Sequence, residues 1–194
     1  MGVDGTVPVL ELARSLAALP AAEFTGDRVT SLLQDVRVAP ASLSPYLRFD
    51  ATRYTRNLVY ACDRFELLVL CWEPGQKSAI HNHAGQECWM LAPVGRLLNQ
   101  NYRVVELDEE RQTCRLAEAA LCVIDGEHPL RVDPEEPVHR VENPATDGRR
   151  AVSIHLYSLP YDRCLVYSLE SGRYGEVELQ YTTKFGQPVE EPSR

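Results

Sequence analysis

Two of the five histidines in this chain, His81 and His83, are separated by a single residue in the segment IHNH. Residues two apart on a β-strand point to the same face, so a strand here would aim both imidazoles at one point. The preceding Ser-Ala-Ile run is compatible with a strand, and Gly75 and Gly85 mark turns on either side. Two converging imidazoles begin a metal site, and His139 is the best candidate for a third ligand.

The type of ligand does not choose the metal. Three neutral imidazole nitrogens suit zinc, iron, copper or nickel. Three histidines with an open position also form the zinc site of carbonic anhydrase. The alternative is that the histidine pair lies on a solvated strand face and that His139 is an ordinary surface or packed residue.

The elements that would position these residues begin with helices. Apolar residues recur at helical spacing over residues 9–17. Asp27 is expected to cap a second helix, and Pro40 is expected to end that segment. Ser42 or Ser44 opens a short third helix.

From residue 53 onward, short apolar runs alternate with turn residues, which predicts an antiparallel sandwich or barrel. The predicted strands cover residues 57–61, 65–72, 78–83, 88–91, 96–107, 113–116, 120–124, 139–142, 151–157, 164–168 and 176–183. We therefore expect one domain over residues 1–194, with a helical lead-in (1–50), a β-barrel (51–185) and a loose tail (186–194).

Composition argues against several classes of protein. The net charge is −8 and the basic residues are scattered, so neither nucleic acid nor an anionic membrane is an expected partner. No apolar run is long enough for a transmembrane helix, and the N-terminus lacks the basic start of a signal peptide. The six cysteines form no CxxC pair, which favours a reduced cytoplasmic protein over a zinc knuckle or a disulfide framework.

The segment GQKSAIHNHAGQECWMLAPVG resembles the first cupin motif, G-x5-H-x-H-x3–4-E-x6-G. His81, His83 and both terminal glycines are in register, and Cys88 stands where the longer spacing expects the glutamate. The shorter spacing puts Glu87 there, but seven residues then precede the closing glycine.

The second cupin motif, G-x5-P-x-G-x2-H-x3-N, is partly present. Pro134, His139 and Asn143 are in register, whereas Glu136 replaces the inner glycine and His128 the outer one. The resemblance implies a mainly β fold: a cupin-type antiparallel β-barrel, or double-stranded β-helix, preceded by a small helical segment.

Longer matches resemble the cysteine dioxygenase family, the thiol dioxygenase branch of the cupins. They are RYTRNLV (53–59), CW (71–72), IHNH (80–83), Cys88, HRVEN (139–143), SIHLYS (153–158) and KFG (184–186). This resemblance implies an enzyme of cysteine catabolism, expected to be a monomer, that converts L-cysteine and O2 to cysteine sulfinic acid. The alternatives are a dioxygenase of another small thiol, such as 3-mercaptopropionate or cysteamine, and a non-enzymatic metal-binding cupin.

The same resemblance implies one Fe(II) per chain, held by His81, His83 and His139. Thiolate and amine of the substrate would take two further positions on the metal, and O2 a third. Arg56 would bind the substrate carboxylate, with Tyr54 nearby, since a guanidinium pairs bidentately with a carboxylate. The alternative for Arg56 is an exposed strand arginine.

Catalytic roles are implied for Tyr157, His155 and Cys88. Ser153, His155 and Tyr157 alternate along one predicted strand, so they share a face and could form a hydrogen-bonded relay. The alternative is ordinary packing of polar groups on a solvated face. Cys88 and Tyr157 are the pair that some family members join by a thioether, whereas a generic buried cysteine behaves as a small hydrophobe.

Leu70, Trp72 and Cys164 are expected to line the pocket or its mouth. One departure affects the turn after Tyr157, where the family often has Ser-Pro-Pro with a cis bond and this chain has Ser-Leu-Pro. A cis bond between Ser158 and leucine would cost about 2.5–4 kcal/mol, so this turn is not expected to keep the family's geometry.

Overall fold

The computed structural model describes residues 5–189 and is mainly β, as predicted. Its helices are α1 (Val9–Ala18), α2 (Gly26–Gln34) and 3-10 helices at Ala21–Glu23, Pro40–Tyr46 and Ala145–Asp147. The strands are β1 Thr55–Ala61, β2 Glu66–Trp72, β3 Ile80–His81, β4 Cys88–Val94, β5 Leu97–Asp108, β6 Thr113–Ile124, β7 Leu130–Arg131, β8 Val138–Glu142, β9 Ala151–Tyr157, β10 Arg163–Ser168, β11 Arg173–Glu178, β12 Thr183–Lys184 and β13 Gln187–Pro188.

The second helix is capped by Thr25, so the prediction of Asp27 as its cap is wrong. The Thr25 backbone is extended, and its side-chain oxygen accepts a hydrogen bond from the backbone N–H of Arg28 at 3.4 Å. A threonine in this geometry satisfies one of the amide groups that a helix start leaves open. Asp27 lies one residue inside the helix, where its charge complements the helix dipole.

Pro40 begins a helix instead of ending the preceding segment. It occupies the first position of the 3-10 helix Pro40–Tyr46, where its fixed φ is favourable and its missing N–H costs nothing. The third helix therefore starts before both Ser42 and Ser44, the residues predicted to open it.

The first sheet has seven strands in the order β13-β12-β1-β2-β9-β4-β7. Its pairings are antiparallel except that β1 and β12 run parallel. The second sheet joins β10-β11-β6-β5-β8-β3 in a closed ring, where one residue pair, Arg173 with Thr113, connects β11 to β6.

Two apolar clusters cover opposite faces of the first sheet. One packs the helices, through residues such as Leu12, Leu16 and Val29, against Leu67 and Val69 of β2. The other fills the space between the sheets; its members include Leu58, Leu68, Leu70, Trp72, Cys88, Met90, Val141 and Tyr157. Every residue of β2 and β9 is buried because both faces of these strands are covered.

Several strand boundaries differ from the prediction. The predicted strand at 78–83 is reduced to Ile80–His81, the predicted strands at 113–116 and 120–124 are one strand, and the predicted strand at 176–183 divides between β11 and β12. Residues 187–188 of the predicted loose tail form β13, which pairs with β12. The rest of that tail, residues 190–194, lies outside the described residues. None of the helices within residues 5–189 is long and apolar enough to cross a membrane.

Candidate metal centre

Three imidazoles meet inside the space between the sheets. His81 lies on β3 opposite His139 on β8, and His83 follows two residues after His81. The turns expected at Gly75 and Gly85 are present, since both residues adopt positive φ angles of 84° and 81°. The ligand atoms of the three histidines all lie within 4.8 Å of one another. His83 and His139 are buried and His81 is partly buried.

Hydrogen bonds orient two of these rings. His81 Nδ1 lies 3.0 Å from the carbonyl oxygen of Ala79, and His139 Nδ1 lies 2.5 Å from Asn99 Oδ1. Each Nδ1 must donate to such an acceptor, which leaves the Nε2 lone pairs free to bind a metal. His83 Nδ1 is buried and has no partner among the described residues. Sequence patterns did not identify Asn99, which reaches His139 through the pairing of β5 with β8.

The centre has the geometry and charge that a metal ion needs. Nε2 of His83 and Nε2 of His139 are 3.0 Å apart. Two nitrogens each ~2.1 Å from one ion, at right angles, have about this separation. Burial lowers the pKa of His81 to about 4 and that of His83 and His139 well below 6.5. All three rings are therefore neutral ligands at pH 7, and the donor set fits a nitrogen-binding metal such as Fe(II).

Glu87 does not belong to the ligand cluster. Its carboxylate pairs with the guanidinium of Arg131, which also contacts Asp27 on α2 at 3.0 Å. Its backbone N–H donates to Ser158 Oγ at 2.9 Å. The side chain that the shorter cupin spacing offered as a ligand thus connects β4 to β7 instead.

A chain of hydrogen bonds follows the interior face of β9. Trp72 Nε1–H donates to Ser153 Oγ at 2.9 Å, and His155 Nε2 lies 2.9 Å from the same oxygen. The Tyr157 hydroxyl lies 3.3 Å from His155 Nδ1. The Ser153 hydroxyl can accept from or donate to Nε2, so these contacts fit either tautomer of His155; with the proton on Nε2, Nδ1 accepts from the Tyr157 hydroxyl.

The protonation of this chain is set by burial. Burial, and after it the nearby charge of Arg56, lowers the pKa of His155 to about 3. Burial raises the pKa of Tyr157 well above 10. Both groups are therefore neutral near pH 7. The Tyr157 ring lies 5.5 Å from the ring of His83, so the chain of hydrogen bonds ends beside the three histidines.

Arg56 points from β1 into the same interior. Its Cζ lies 6.0 Å from the centroid of the Tyr157 ring, and its Nε and Nη2 are buried without a hydrogen-bond partner in the described residues. Burial alone lowers the pKa of Arg56, but the surrounding phenols and Glu66 raise it above the ordinary value. A permanent cation with two open donors is a binding site for an anion.

Aromatic rings form the wall beside this guanidinium. Tyr54 stacks on Trp72 with ring centroids 4.3 Å apart, and both belong to the interior cluster together with Leu70. Tyr161, which the sequence did not single out, contacts the edge of Tyr157 at 5.0 Å between centroids. Burial raises the pKa of its hydroxyl, and a hydrogen bond with the Tyr157 side chain opposes part of this rise.

Cys88 on β4 and Tyr157 on β9 are directly opposite in the sheet. Both side chains are buried in the interior cluster. Directly opposed residues in an antiparallel pair have Cβ atoms about 4.5–5.5 Å apart, which brings the two side chains into contact range. Burial raises the pKa of the Cys88 thiol, so this thiol is protonated near pH 7.

Cys164 is buried on β10 and interacts electrostatically with Tyr54 and Arg56, which places it near the Arg56 guanidinium. Ser158 and Leu159 are joined by a trans bond, as no cis peptide occurs in the described part of the chain.

The sequence also did not identify Glu66, a fully buried carboxyl that accepts a hydrogen bond from the hydroxyl of Tyr181.

Two sheets enclosing a three-histidine centre define the cupin class of metal-binding proteins. The sequence profile described as "Cysteine dioxygenase type I" matches residues 6–170. The chain therefore belongs to the cysteine dioxygenase type I family.

Named relatives agree with this assignment. Cysteine dioxygenase type 1 of Rattus norvegicus is 31% identical over 170 residues, covering 84% of this chain and 82% of the relative. The Homo sapiens protein of the same name is 29% identical over 169 residues, with the same coverage of 84% and 82%.

Solved structures similar to this chain include a protein with a double-stranded β-helix domain and an RmlC-like cupin. A double-stranded β-helix protein from Klebsiella pneumoniae has a TM-score of 0.42 and 14% identity, covering 71% of this chain and 88% of that one. An RmlC-like cupin from Desulfovibrio desulfuricans has a TM-score of 0.38 and 18% identity, covering 59% and 91%.

Proposed function

We propose that this protein is an iron-dependent dioxygenase that converts L-cysteine and O2 into cysteine sulfinic acid. The observation that carries the proposal is the presence, in one interior, of three neutral imidazoles and a guanidinium with two open donors. Tyr157 lies between them, 5.5 Å from the His83 ring and 6.0 Å from Cζ of Arg56. A small thiol that also carries a carboxylate suits these two ends.

His81, His83 and His139 would hold the Fe(II). The common iron triad contains a carboxylate, and its absence here leaves the centre one negative charge short. This favours an anionic substrate such as a thiolate. The metal, when bound, supplies the redox chemistry that allows O2 to react with sulfur.

Arg56 would bind the substrate carboxylate. Its open Nε and Nη2 donors match the two oxygens of a carboxylate, and such a bidentate pair fixes orientation as well as adding affinity. Tyr54, stacked on Trp72, would close this end against water. Leu70 lies in the same cluster and would help to keep the site dry.

Tyr157 would present its hydroxyl to the substrate. With the His155 proton on Nε2, the Tyr157 hydroxyl would donate to His155 Nδ1, and its oxygen lone pairs would remain available to accept from the substrate amine. Ser153 and Trp72 hold the His155 ring in place from the other side. The chain thus orients the hydroxyl without ionising it.

We also propose that Cys88 and Tyr157 can become linked by a thioether. Their register supports contact, and the bond from Sγ to a ring carbon removes one hydrogen from each group. This two-electron oxidation requires an oxidant, which O2 as cosubstrate provides. Mass analysis of tryptic peptides after turnover should reveal a linked species 2 Da lighter than the two peptides together, and Cys88→Ser should abolish it. Two unmodified peptides after many turnovers would refute the link.

The activity is tested by loading the protein anaerobically with Fe(II) and then adding O2 and cysteine. We expect stoichiometric O2 uptake and sulfinate formation. A substrate panel with 3-mercaptopropionate and cysteamine decides between thiols, and a higher kcat/KM for either would reassign the substrate. No uptake by iron-loaded protein would favour a binding role without catalysis.

A monomer in the cytoplasm is the setting we propose for this enzyme. The three histidines of one chain complete the ligand cluster. The six cysteines are unpaired in the structure, as expected in a reducing compartment.

A further inference from the structure

Glu66 is a buried carboxyl in an otherwise apolar strand. It is the first residue of β2 and shares its face with Leu68, Leu70 and Trp72, so it points into the interior that holds the metal centre. Its partner across the sheet is Tyr157 of β9. The residue has no exposed surface.

Only one oxygen of this carboxyl has a partner in the described residues. Oε2 accepts a hydrogen bond from the hydroxyl of Tyr181, whereas Oε1 is buried and unpaired. An apolar side chain of the same size would pack here without the cost of removing a carboxyl from water. We therefore explain the presence of a carboxyl at this position by its hydrogen bond with the Tyr181 hydroxyl.

Tyr181 contacts the carboxylate-binding residue. The centroid of its ring lies 5.8 Å from Cζ of Arg56, and the Tyr157 ring lies 6.0 Å from the same atom. Next to Tyr181, the backbone N–H of Thr182 donates to the carbonyl of Arg56 at 2.7 Å. The guanidinium is thus placed between two aromatic rings, and the hydrogen bond to Glu66 fixes one of them.

We propose that Glu66 is a positioning residue that, by holding the Tyr181 hydroxyl, keeps the Arg56 guanidinium in the orientation that binds the substrate carboxylate. This inference rests on the proposed function, because it assigns Arg56 to a carboxylate. Glu66 would thus influence substrate specificity without being a metal ligand or a member of the hydrogen-bonded series on β9. Glu66 acts through Tyr181 and needs no contact with the substrate.

The test compares three variants of the iron-loaded protein. Glu66→Met and Tyr181→Phe each remove the hydrogen bond while keeping most of the side-chain volume. Glu66→Gln keeps an acceptor of the same shape. The matched controls are Glu118→Met, an exposed strand glutamate, and Tyr60→Phe, which packs on the helical side of β1.

We expect the two disruptive variants to raise KM for cysteine about five- to tenfold, with kcat within about twofold of wild type. Anaerobic calorimetry, in which no turnover occurs, should show Kd for cysteine increasing by the same factor. Cysteamine, which lacks a carboxylate, should bind all variants within about twofold of wild type. Glu66→Gln should restore cysteine binding.

The outcomes separate the two hypotheses. Wild-type protein that fails to bind or oxidise cysteine would overturn the proposed function and this inference with it. Wild-type activity with unchanged KM and Kd in both disruptive variants would overturn the positioning role alone. Equal losses for cysteine and cysteamine, or a Glu66→Gln protein as weak as Glu66→Met, would also reject it in favour of general structural damage or a charge effect.

Discussion

At the scale of single residues, the interior of this protein is defined by polar groups that lack partners. Two nitrogens of Arg56 and one oxygen of Glu66 are buried and unpaired among residues 5–189. Buried polar atoms are nearly always satisfied in folded proteins, so a cluster of open ones indicates a ligand. Because the unpaired groups include the permanently charged guanidinium of Arg56, the ligand that they favour is an anion.

The carboxylate role of Arg56 predicts a selective loss. Arg56→Gln should lower kcat/KM for cysteine about 10- to 100-fold, because a hydrogen bond to a charged group contributes about 1.5–3 kcal/mol. The value for cysteamine should change less than threefold, since this thiol offers no carboxylate to the guanidinium. Steady-state O2 uptake with both thiols measures this. Arg53→Gln, at an exposed position nearby, is the control, and equal losses for both thiols would contradict the assignment.

Among residues 5–189, the side chain that accepts from His139 Nδ1 is that of Asn99, which is fully buried. Removing such an outer partner commonly costs about 10–100-fold in metal affinity, so Asn99→Ala should lose affinity by this factor. Asn99→Asp keeps an acceptor oxygen and should retain it. Competition with a chelator of known affinity gives the constants, and Asn99→Ala protein with wild-type affinity would show that Asn99 does not support the centre.

At the scale of elements, the site depends on two strands that are covered on both faces. β2 and β9 lie side by side at the middle of the first sheet, with helices outside and the metal-binding space inside. Successive residues of each strand therefore point alternately to the metal-binding space and to the helices. On β9, Ser153, His155 and Tyr157 face the site, while Val152 and Ile154 support the helices.

Sequence patterns predicted β9 with the bounds that the structure has, because a strand-length run in which apolar residues alternate with Ser153 and His155 is followed by a turn. They did not predict Glu66 or Asn99 as parts of the site. Tyr181 lies 115 residues from Glu66 and His139 lies 40 residues from Asn99, so the pairs exist only through strand register. A lone polar residue in an apolar strand was the available signal for Glu66.

Helix α1 is expected to stabilise the sheet by burial alone. Leu16 is fully buried against the outer face of the first sheet, whereas Leu10 on the same helix is 38% exposed. Leu16→Ala should lower the free energy of unfolding by about 2–5 kcal/mol, through lost burial and the cavity left behind. Leu10→Ala is the matched control and should cost less than about 1 kcal/mol. Urea unfolding measures both, and similar values for the two variants would refute the packing described for α1.

At the scale of the whole molecule, one interior holds a cation, a carboxyl and four neutral imidazoles, and burial changes the pKa of each of these groups. The exposed ion pairs, such as Arg96 with Asp147, lie in water and contribute little to stability. The pH dependence of folding should therefore reflect buried groups more than surface pairs. Glu66 is the buried carboxyl whose effect has the clearest sign.

Burial raises the pKa of Glu66 above 4.5, although the hydrogen bond from Tyr181 and the charge of Arg56 oppose the rise. The folded protein therefore holds this proton more tightly than the unfolded chain, so Glu66 removes stability as the pH rises from 4.5 through the folded pKa. Glu66→Gln carries no such charge. Its melting temperature should exceed that of the wild type by more at pH 8 than at pH 5, as measured by calorimetry at both values. The exposed Glu118→Gln should give the same difference at both pH values, and a Glu66→Gln advantage that shrinks at pH 8 would mean that the Glu66 carboxylate is stabilised in the fold by Arg56.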